Sequence, residues 1–393
     1  MNDFIVEEIL SQESQSELSP NLTDSHCYPV YLLEKSGIDT MHASQELEKF
    51  LHVKFHYLGL KDSKAVTSQY LCVSKKMRNS PPEIIFKGNR ARLVSYASRP
   101  LTRRALLGNR FSIKIRGLEL SGNTIKDTVN EVIDKALKLR IPNFYGYQRF
   151  GSHRTITHLA GKSIIAGRFN EAVEILLGKS YGVKNTFDYK FLAENLPAGS
   201  DIERTLARSL SEKPDNYLLA LRRLPLRFRR LLVSAYQSHL FNRVLSNAMI
   251  ENEPLDHVKH DDFYTTYDRG DISMKIRRFQ GSSLEEVNSK NSIVLIPLVG
   301  YSFRLGTNRF GKLIEKELED DNINPKQFYS REMPEVSAEG GFRPAPLLVH
   351  KMTWNLQEGK STLEIDFTLN KGCYATILLR EIMKPSDPLK SGF

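Results

Sequence analysis

Residues 59 to 69 read Gly59-Leu60-Lys61-Asp62-Ser63-Lys64-Ala65-Val66-Thr67-Ser68-Gln69. An apolar segment, Val53 to Leu60, runs into a tight polar turn, and a carboxylate flanked by lysines sits just past it. Two readings of Asp62 stand open on these residues. It can cap the element that follows or satisfy the turn. It can also be a carboxylate held ionised by neighbouring cations, as a nucleophile or base must be.

Outward from this turn, strand patterns occupy both ends of the chain. Tyr70 to Val73 is a short strand candidate, and Phe111, Ile113 and Ile115 alternate with polar residues up to Gly117. Near the end, Leu363, Ile365, Phe367 and Leu369 alternate with polar residues, Asn370-Lys371-Gly372 signals a turn, and Tyr374 to Ile382 takes helical spacing. Between them, residues 155 to 250 read mainly helical. The spacing predicts a helix over 40–51 with Met41, Leu47, Phe50 and Leu51 on one face. A second runs over 124–139, capped by Asn123 or Thr124 and stopped by Pro142. A third covers 226–249 with the row Leu232, Tyr236, Leu240, Val244, and Val233, Phe241, Leu245 beside it. Residues 11–25 read as a loop, and the acidic run Glu315 to Asp321 as a solvated helix face. Strands at both ends around a helical middle suit an α+β protein, with the helical part inserted into a sheet domain.

The chain has 393 residues, 40% apolar and 26% charged, enough for a sizeable core in two or three domains. That balance excludes a disordered or collagen-like chain and a disulfide-stapled miniprotein. The longest apolar run, Ile293 to Val299, is broken by Pro297 and falls far short of the roughly 20 residues that span a bilayer. The acidic start, Asp3 to Glu8, lacks the basic n-region of a secretory signal. Three scattered cysteines, Cys27, Cys72 and Cys373, point away from a disulfide framework and towards a reducing cytosol, so a cytoplasmic protein without membrane contact is expected. The net charge of +10 and pI near 9.3 suit a polyanionic partner.

The basic residues cluster. Arg99, Arg103, Arg104 and Arg110 surround Gly108-Asn109, and five arginines, including Arg227 and Arg230, lie between positions 222 and 230. Neither stretch contains an acid, which predicts a surface that tracks phosphates. A further segment, Pro142-Asn143-Phe144-Tyr145-Gly146-Tyr147-Gln148-Arg149-Phe150-Gly151, interleaves aromatic rings with amides and an arginine. Core packing accounts for at least two of those rings. A ring with hydrogen-bonding amides beside it is also what an unstacked base needs, and Arg149 and Arg154 could hold phosphates. There is no Walker loop, no Gly-x-Gly-x-x-Gly after a strand, no Gly-x-Ser-x-Gly and no Cys-x-x-Cys. His257, His260, Asp261 and Asp262 form a group with metal-ligand character, and on a polar stretch beside Pro254 it reads as a surface loop. No metal and no cofactor is expected.

These segments, in this order, resemble the TruD family of tRNA pseudouridine synthases, whose eukaryotic branch includes the Pus7-type enzymes. Gly59 to Gln69 matches the family signature G-x-K-D-x-x-A-V-T-x-Q, and Asn143 to Gly151 resembles N-x-F-G-x-Q-R-F-G. Asp3 to Glu8 resembles D-F-x-V-x-E, Lys35 to Thr40 resembles K-x-G-x-x-T, and Gly108 to Phe111 resembles G-N-x-F. Leu369 to Thr376, with Leu379-Arg380-Glu381, resembles L-P-x-G-x-Y-A-T…L-R-E. Tyr145 stands where the family usually has Phe, and Asn370 where Pro is common.

The resemblance implies a pseudouridine-synthase-type mixed, largely antiparallel sheet domain, residues 1–154 with 337–393, carrying an inserted α+β TRUD domain, residues 155–336. It implies cofactor-free isomerisation of uridine to pseudouridine in tRNA, typically at position 13. Whether other RNAs are also substrates stays open on the sequence, and a monomer is the expected form. Asp62 would be the catalytic aspartate, acting on a flipped-out uridine. Tyr145 would stack on the base, and Asn143, Gln148, Lys61 and Arg149 would hold substrate. Arg103, Arg104, Arg110, Arg227 and Arg230 would contact RNA. Family members commonly carry a lysine ahead of the D-F motif, and here Met1-Asn2 precedes it; either the true start lies upstream, or another cation, such as Lys61 or Arg380, is expected beside Asp62. The alternative from another class is a non-catalytic basic RNA-binding protein, such as a tRNA chaperone, which binds without forming a product.

Overall fold

The structure, a computed structural model, describes residues 3–61, 65–118, 122–139, 141–151, 154–178, 188–197, 199–268, 271–272, 275–281, 283–288, 291–304, 306–357 and 362–391. The chain divides into two compact units. One comprises Met1–Ile141, Asp268–Ile272 and Leu348–Ala375; the other Pro142–Tyr267, Ser273–Leu347 and Thr376–Phe393.

The first unit is built on β1 (Phe4–Leu10), α1 (Gln12–Ser16), β2 (Leu18–Ser19), β3 (Tyr28–Lys35), α2 (Thr40–Leu51), β4 (Phe55–Tyr57), β5 (Val66–Val73), β6 (Glu83–Phe86), β7 (Asn89–Ala97), β8 (Leu106–Arg116) and α3 (Gly122–Leu139). Its sheet runs β14-β15-β8-β1-β5-β3-β7-β2, with β14 at Val349–Gln357 and β15 at Thr362–Asn370. β4 pairs with β5, and β6 with β7. The β1–β5 pair is parallel, whereas β1 with β8, β8 with β15 and β3 with β5 are antiparallel.

The alternation read from the sequence accounts for the centre of this sheet. Phe111, Ile113 and Ile115 of β8 are buried and stand opposite Phe367, Ile365 and Leu363 of β15. The Phe111 and Phe367 rings stack with centroids 5.2 Å apart, and Phe4 meets Phe111 edge-on at 6.2 Å. Such cross-strand aromatic pairs fix register, because a slip of one residue would turn every ring to the other face.

Two departures from expectation occur in this unit. α2 has the expected ends, with Asp39 accepting from the backbone N–H of Met41 and His42 as its N-cap. Of the expected row it buries Leu47 and half-buries Leu51 but leaves Met41 and Phe50 exposed, and Thr40, Ala43 and Ser44 are buried in their place. Ala43 and Leu47 share one core with Tyr31, Leu33, Leu71 and Ile84 of the sheet. Residues 11–25, expected as a loop, hold α1 and β2; α1 starts where the Ser11 hydroxyl accepts from Ser14 N–H.

The second unit contains α4 (Thr157–Ile165), α5 (Phe169–Leu177), α6 (Tyr189–Asn195), α7 (Asp201–Glu212), α8 (Tyr217–Arg223) and α9 (Leu226–Ile250). After them come β9 (Phe263–Asp268), β10 (Asp271–Ile272), β11 (Arg277–Arg278), α10 (Leu284–Asn288), β12 (Ser292–Leu298), α11 (Arg309–Asp320) and β13 (Gly341–Pro344); α12 is Ala375–Met383. β12 lies between β9 and β13, antiparallel to both. α9 is the spine, and the expected rows Leu232, Tyr236, Leu240, Val244 and Val233, Phe241, Leu245 are all buried in one core with α4, α5, α7 and α11.

The acidic run divides: Glu315, Glu319 and Asp320 are exposed, as a solvated face requires, whereas Glu317 and Asp321 are drawn into ion pairs. Glu317 is 2% exposed and pairs with Arg243, while Asp321 takes Lys162 at 2.9 Å, Arg243 at 3.2 Å and the Tyr236 hydroxyl at 2.7 Å. The partners come from α4 and α9, far away in sequence, so no local pattern could show them. No helix among the described residues is long and apolar enough to cross a membrane. No group of three or more potential ligands that could hold a metal occurs among them either. The three cysteines are free.

Candidate active site

In the first unit, alternation along β1 turns Val6, Glu8 and Leu10 inward, so a carboxylate enters an apolar face. Glu8 is satisfied from two sides. Its Oε1 accepts from Lys61 Nζ at 2.8 Å, and its Oε2 from the backbone N–H of Tyr70 at 2.9 Å. The Glu8 side chain is fully buried and that of Lys61 nearly so. Gly59 leaves the pair room: a Cβ there would lie 3.0 Å from Lys61 Nζ and 3.1 Å from Glu8 Oε1, so both ends would have to shift. The glycine and lysine of one sequence motif and the glutamate of another thus form a single structural unit.

The main chain of Lys61 is held as firmly as its side chain. Its N–H donates to Thr40 Oγ1 at 2.8 Å, and its carbonyl accepts from the Thr40 N–H at 3.3 Å. Lys35 Nζ reaches that carbonyl at 3.4 Å and the Ile38 carbonyl at 2.9 Å. Thr40 also donates from its hydroxyl to Gln69 Oε1 at 2.9 Å. Asp62, the next residue, lies outside the described residues, so its geometry does not enter. Arg380, the other cation expected beside it, has Glu381 at 3.9 Å.

In the second unit, the segment beginning at Pro142 is fixed largely by one residue that the sequence reading passed over. Arg343 of β13 is 7% exposed. It donates to the Asn143 carbonyl from Nε at 3.2 Å and Nη2 at 3.1 Å, and to Asn143 Oδ1 at 2.9 Å. Its guanidinium lies 3.9 Å from the centroid of the Tyr145 ring, a cation–π arrangement. Asn143 is 1% exposed, and its amide N–H also reaches the Pro344 carbonyl at 3.1 Å. Tyr145 is held through its backbone by both ends of the Asn242 amide, at 2.9 and 3.0 Å, and its half-buried ring meets Phe241 edge-on. Arg149 donates to Ser238 Oγ at 3.0 Å and sits 5.6 Å from the Tyr145 centroid. Gln148 is exposed. Gly151 closes the segment at φ 117°, where a Cβ would meet the Arg154 carbonyl oxygen at 2.1 Å.

The signal for Arg343 was present in Phe342-Arg343-Pro344-Ala345-Pro346, where an arginine stands among apolar and proline residues instead of other charges. Asn242 sits on α9 one residue after the buried row residue Phe241, where an amide has no periodic signature.

The basic clusters divide. Arg103 and Arg104 are exposed on a short 3-10 turn, Arg103–Ala105. Arg110 is exposed and ion-paired with Asp366 at 3.1 Å, and Arg99 with Glu17 at 2.9 Å. Of the five arginines from 222 to 230, Arg229 is buried against Glu335, and Arg230 donates to the Glu335 carbonyl at 2.8 Å. Arg222 binds the Glu332 carbonyl and Arg223 pairs with Glu212 at 2.6 Å; Arg227 is exposed. This stretch is acid-free in sequence, but acids from elsewhere in the unit meet it. Arg154 likewise pairs with Glu203. Asp262 is fully buried against Arg309, at 2.7 Å, while His257 and His260 are exposed.

Behind Phe150, the His158 and His239 rings stack at 4.4 Å, and Phe150 meets both edge-on. Burial, reinforced by the neighbouring His239, pushes His158 down to about 4. Burial also lowers His239, with Arg243 and Lys162 adding to it and Asp321 opposing.

The sequence profile of the family described as tRNA pseudouridine synthase D (TruD) matches residues 1–382. A relative from Thermococcus onnurineus, named as a tRNA pseudouridine synthase D, is 32% identical over 92% of this chain and 90% of its own. One from Archaeoglobus fulgidus with the same name is 30% identical over 97% and 93%. The crystal structure of a Methanosarcina mazei protein, described as a TruD-type tRNA pseudouridine synthase, superposes with a TM-score of 0.78 at 27% identity, covering 99% of this chain and 93% of that one.

Proposed function

The chain belongs to the TruD family of tRNA pseudouridine synthases, and from that premise we propose that it isomerises a tRNA uridine, at position 13, through the carboxylate of Asp62. The reaction breaks the bond between N1 and the sugar C1′, turns the freed uracil, and joins C5 to C1′. The C5 hydrogen leaves as a proton and N1 gains one, so no redox carrier and no phosphate donor is required. A carboxylate can attack the sugar or the base, or take a sugar proton to give a glycal. The uridine must leave the stack for any of these routes.

What carries the assignment is the clamp on Lys61. The residue before the aspartate is bound through its N–H, its carbonyl and its ammonium. Such fixation of the backbone suits a catalytic group whose position must be set before substrate arrives. Tyr145 supplies the stacking ring, with Arg343 and Phe241 fixing its plane. Asn143, spent on Arg343 and Pro344, serves the site by holding that guanidinium in place. Exposed Gln148 and half-buried Arg149 supply contacts to the uridine and its phosphates, and Arg103, Arg104, Arg110, Arg227 and Arg230 bind the rest of the RNA. The proposed catalytic domain is 1–154 with 337–393, and the inserted TRUD domain is 155–336.

The test is chemical mapping of pseudouridine in an unmodified tRNA transcript after incubation with the enzyme in the presence of a chelator. A single mass-neutral conversion at position 13 is the expected result. Tight tRNA binding with no conversion, in any cellular RNA tried, would replace the enzyme reading with that of a binding protein.

A further inference from the structure

Two large aromatic rings stand exposed side by side on the second unit, outside the segments that carry the proposed chemistry. Tyr301 is 42% and Tyr329 53% exposed, and their rings meet edge-on with centroids 5.7 Å apart. Tyr301 follows β12, and Tyr329 follows the 3-10 turn Pro325–Phe328. The main chain brings them together. Ala338 donates its N–H to the Phe328 carbonyl at 2.9 Å, and its own carbonyl accepts from the Tyr301 N–H at 2.9 Å. Ser302 donates to the Glu339 carbonyl from its N–H at 3.2 Å and from its hydroxyl at 2.6 Å. Gly300 permits this close approach, because a Cβ there would lie 2.2 Å from the Glu339 carbonyl carbon and from the Gly340 nitrogen.

The loop that carries Tyr329 is anchored below and charged around. Phe328 is 1% exposed and stacks on Tyr236 of α9 with centroids 6.0 Å apart, while the next residue, Tyr329, stands out of the core. Ser330 N–H donates to Ser337 Oγ at 3.1 Å, and Met333 N–H to Ser330 Oγ at 3.0 Å, which closes the loop on itself. Rings on so fixed a frame lose little freedom when a partner settles on them. The charges beside them are mostly positive. Lys326 and Arg331 are exposed within three residues of Tyr329, and Arg304 within three of Tyr301. Arg222 donates to the Glu332 carbonyl, and Arg230 to the Glu335 carbonyl at 2.8 Å, so two further guanidiniums lie on the same loop. Arg229 takes the Glu335 carboxylate, which leaves Glu332 and Glu339 as the exposed acids of these two segments.

We infer that Tyr301 and Tyr329 form a platform on which an unpaired base of the RNA stacks, with Arg331 taking a neighbouring phosphate. Exposed rings beside guanidiniums suit an unpaired nucleotide, because every base has a π-face and each carries a phosphate. The excess of cations over acids around the rings favours a polyanion over an apolar peptide. It also opposes a second copy of this chain, whose net charge is +10. The inference rests on RNA being the partner of this chain and is independent of Asp62 and of the reaction. It gives Arg222 and Arg230 a common task, to hold the loop and add positive potential beneath the rings.

The experiment measures binding of an unmodified tRNA transcript across salt concentrations by the full-length wild type, Tyr301→Leu, Tyr329→Leu, Tyr329→Phe and Arg331→Ala. Losing one base–ring stack weakens binding by about ten-fold. Each leucine variant is therefore expected to bind about ten-fold more weakly, with the slope of log affinity against log salt unchanged. Tyr329→Phe keeps the ring and is expected to keep the wild-type affinity. Arg331→Ala is expected to reduce the slope by about 1. Equal weakening by Tyr329→Phe would overturn the stacking, since the ring is still there. Loss of self-association in the leucine variants, read by sedimentation with tRNA binding intact, would assign the rings to a second copy and overturn the platform. Should the leucine variants fail to fold, ultraviolet cross-linking of the wild-type complex decides. A nucleotide joined to the peptide of Tyr301 or Tyr329 supports the platform, and cross-links confined to other peptides overturn it. A wild type that binds no tRNA sinks the RNA reading and the platform together, whereas wild-type affinity in both leucine variants sinks the platform alone.

Discussion

The two segments that carry the proposed chemistry are held by different forces. The turn entering Asp62 is fixed by formal charge in a dry place: Glu8 with Lys61, and Lys35 on the peptide carbonyl. The segment from Asn143 to Gly151 is fixed by neutral amides and by one guanidinium that lies flat on a ring. The contrast matches the two tasks. A reacting carboxylate needs a set electrostatic field around it, and buried charges supply one strongly because little water screens them. A base-stacking ring needs a fixed plane, and hydrogen-bonded backbone and cation–π contact give that.

If buried charge holds the first segment, breaking the pair should cost more than deleting it. Glu8→Ala strands the Lys61 ammonium, and a loss of about 3–5 kcal/mol in denaturant unfolding is expected. The double change Glu8→Gln/Lys61→Met is expected to lose clearly less. Equal losses would show that packing around the pair, and not its charge, does the holding.

In the second segment, Arg343→Ala removes hydrogen bonds to two Asn143 oxygens and the support of the Tyr145 ring. Charge-assisted hydrogen bonds are worth about 1.5–3 kcal/mol each, so a loss of roughly 3 kcal/mol is expected in thermal unfolding. Arg343→Lys is expected to recover little, since an ammonium neither forks to two oxygens nor stacks. Full recovery with lysine would make charge the organising force here as well, and the contrast between the segments would fail.

Acid separates the two regions further. His158 and His239 back the second segment through Phe150, and both titrate below the ordinary histidine value in the fold. The unfolded chain takes protons on both near pH 6.5, whereas the folded chain resists them. Their contribution is therefore whole above pH 6.5 and is lost as pH falls from there to about 4, the folded value of His158. A loss of about 2 kcal/mol is expected over that window, allowing for the partial exposure of the rings. In hydrogen exchange, the amides of 143–151 and α4 should lose protection before those of β3 and β5. The reverse order would contradict the placement of the pair behind the second segment.

The smallest expected effect lies on the surface. Arg103→Ala or Arg104→Ala should each reduce the slope of log tRNA affinity against log salt by about 1, with little change in stability. Arg229→Ala, whose guanidinium is buried against Glu335, should destabilise the fold and leave that slope unchanged.

Much of the frame was legible in the sequence, because it rests on periodicity. β8 and β15 declared themselves by strict alternation, and α9 by two adjacent buried rows. The ends of α2 were legible for the same reason, and its buried face in part, through Leu47. Met41 and Phe50 outweigh Ala43 and Ser44 in hydrophobicity, yet the small residues are the buried ones. The candidate site was legible as motifs and opaque as interactions. Lys61, Tyr145 and Arg149 stand out in the motifs, whereas Glu8, Lys35 and Arg343 carry no functional signal of their own in the sequence. Each acts across long sequence separation: Glu8 on Lys61, Lys35 on the Lys61 carbonyl, and Arg343 on Asn143. A charge on the buried side of an alternating strand, as at Glu8 and Lys35, is the sign that would have found two of them. The arginines at 222–230 misled in the opposite direction, since an acid-free sequence says nothing about the acids that tertiary structure brings in.

The most direct test of the account is single-turnover tritium release from a tRNA transcript labelled at uridine C5, with wild type and Asp62→Asn side by side and tRNA binding measured in the same samples. Forming the new C5 bond must expel that hydrogen. The account predicts release by wild type and none by Asp62→Asn, with binding retained by both. Release by Asp62→Asn at the wild-type rate would contradict it.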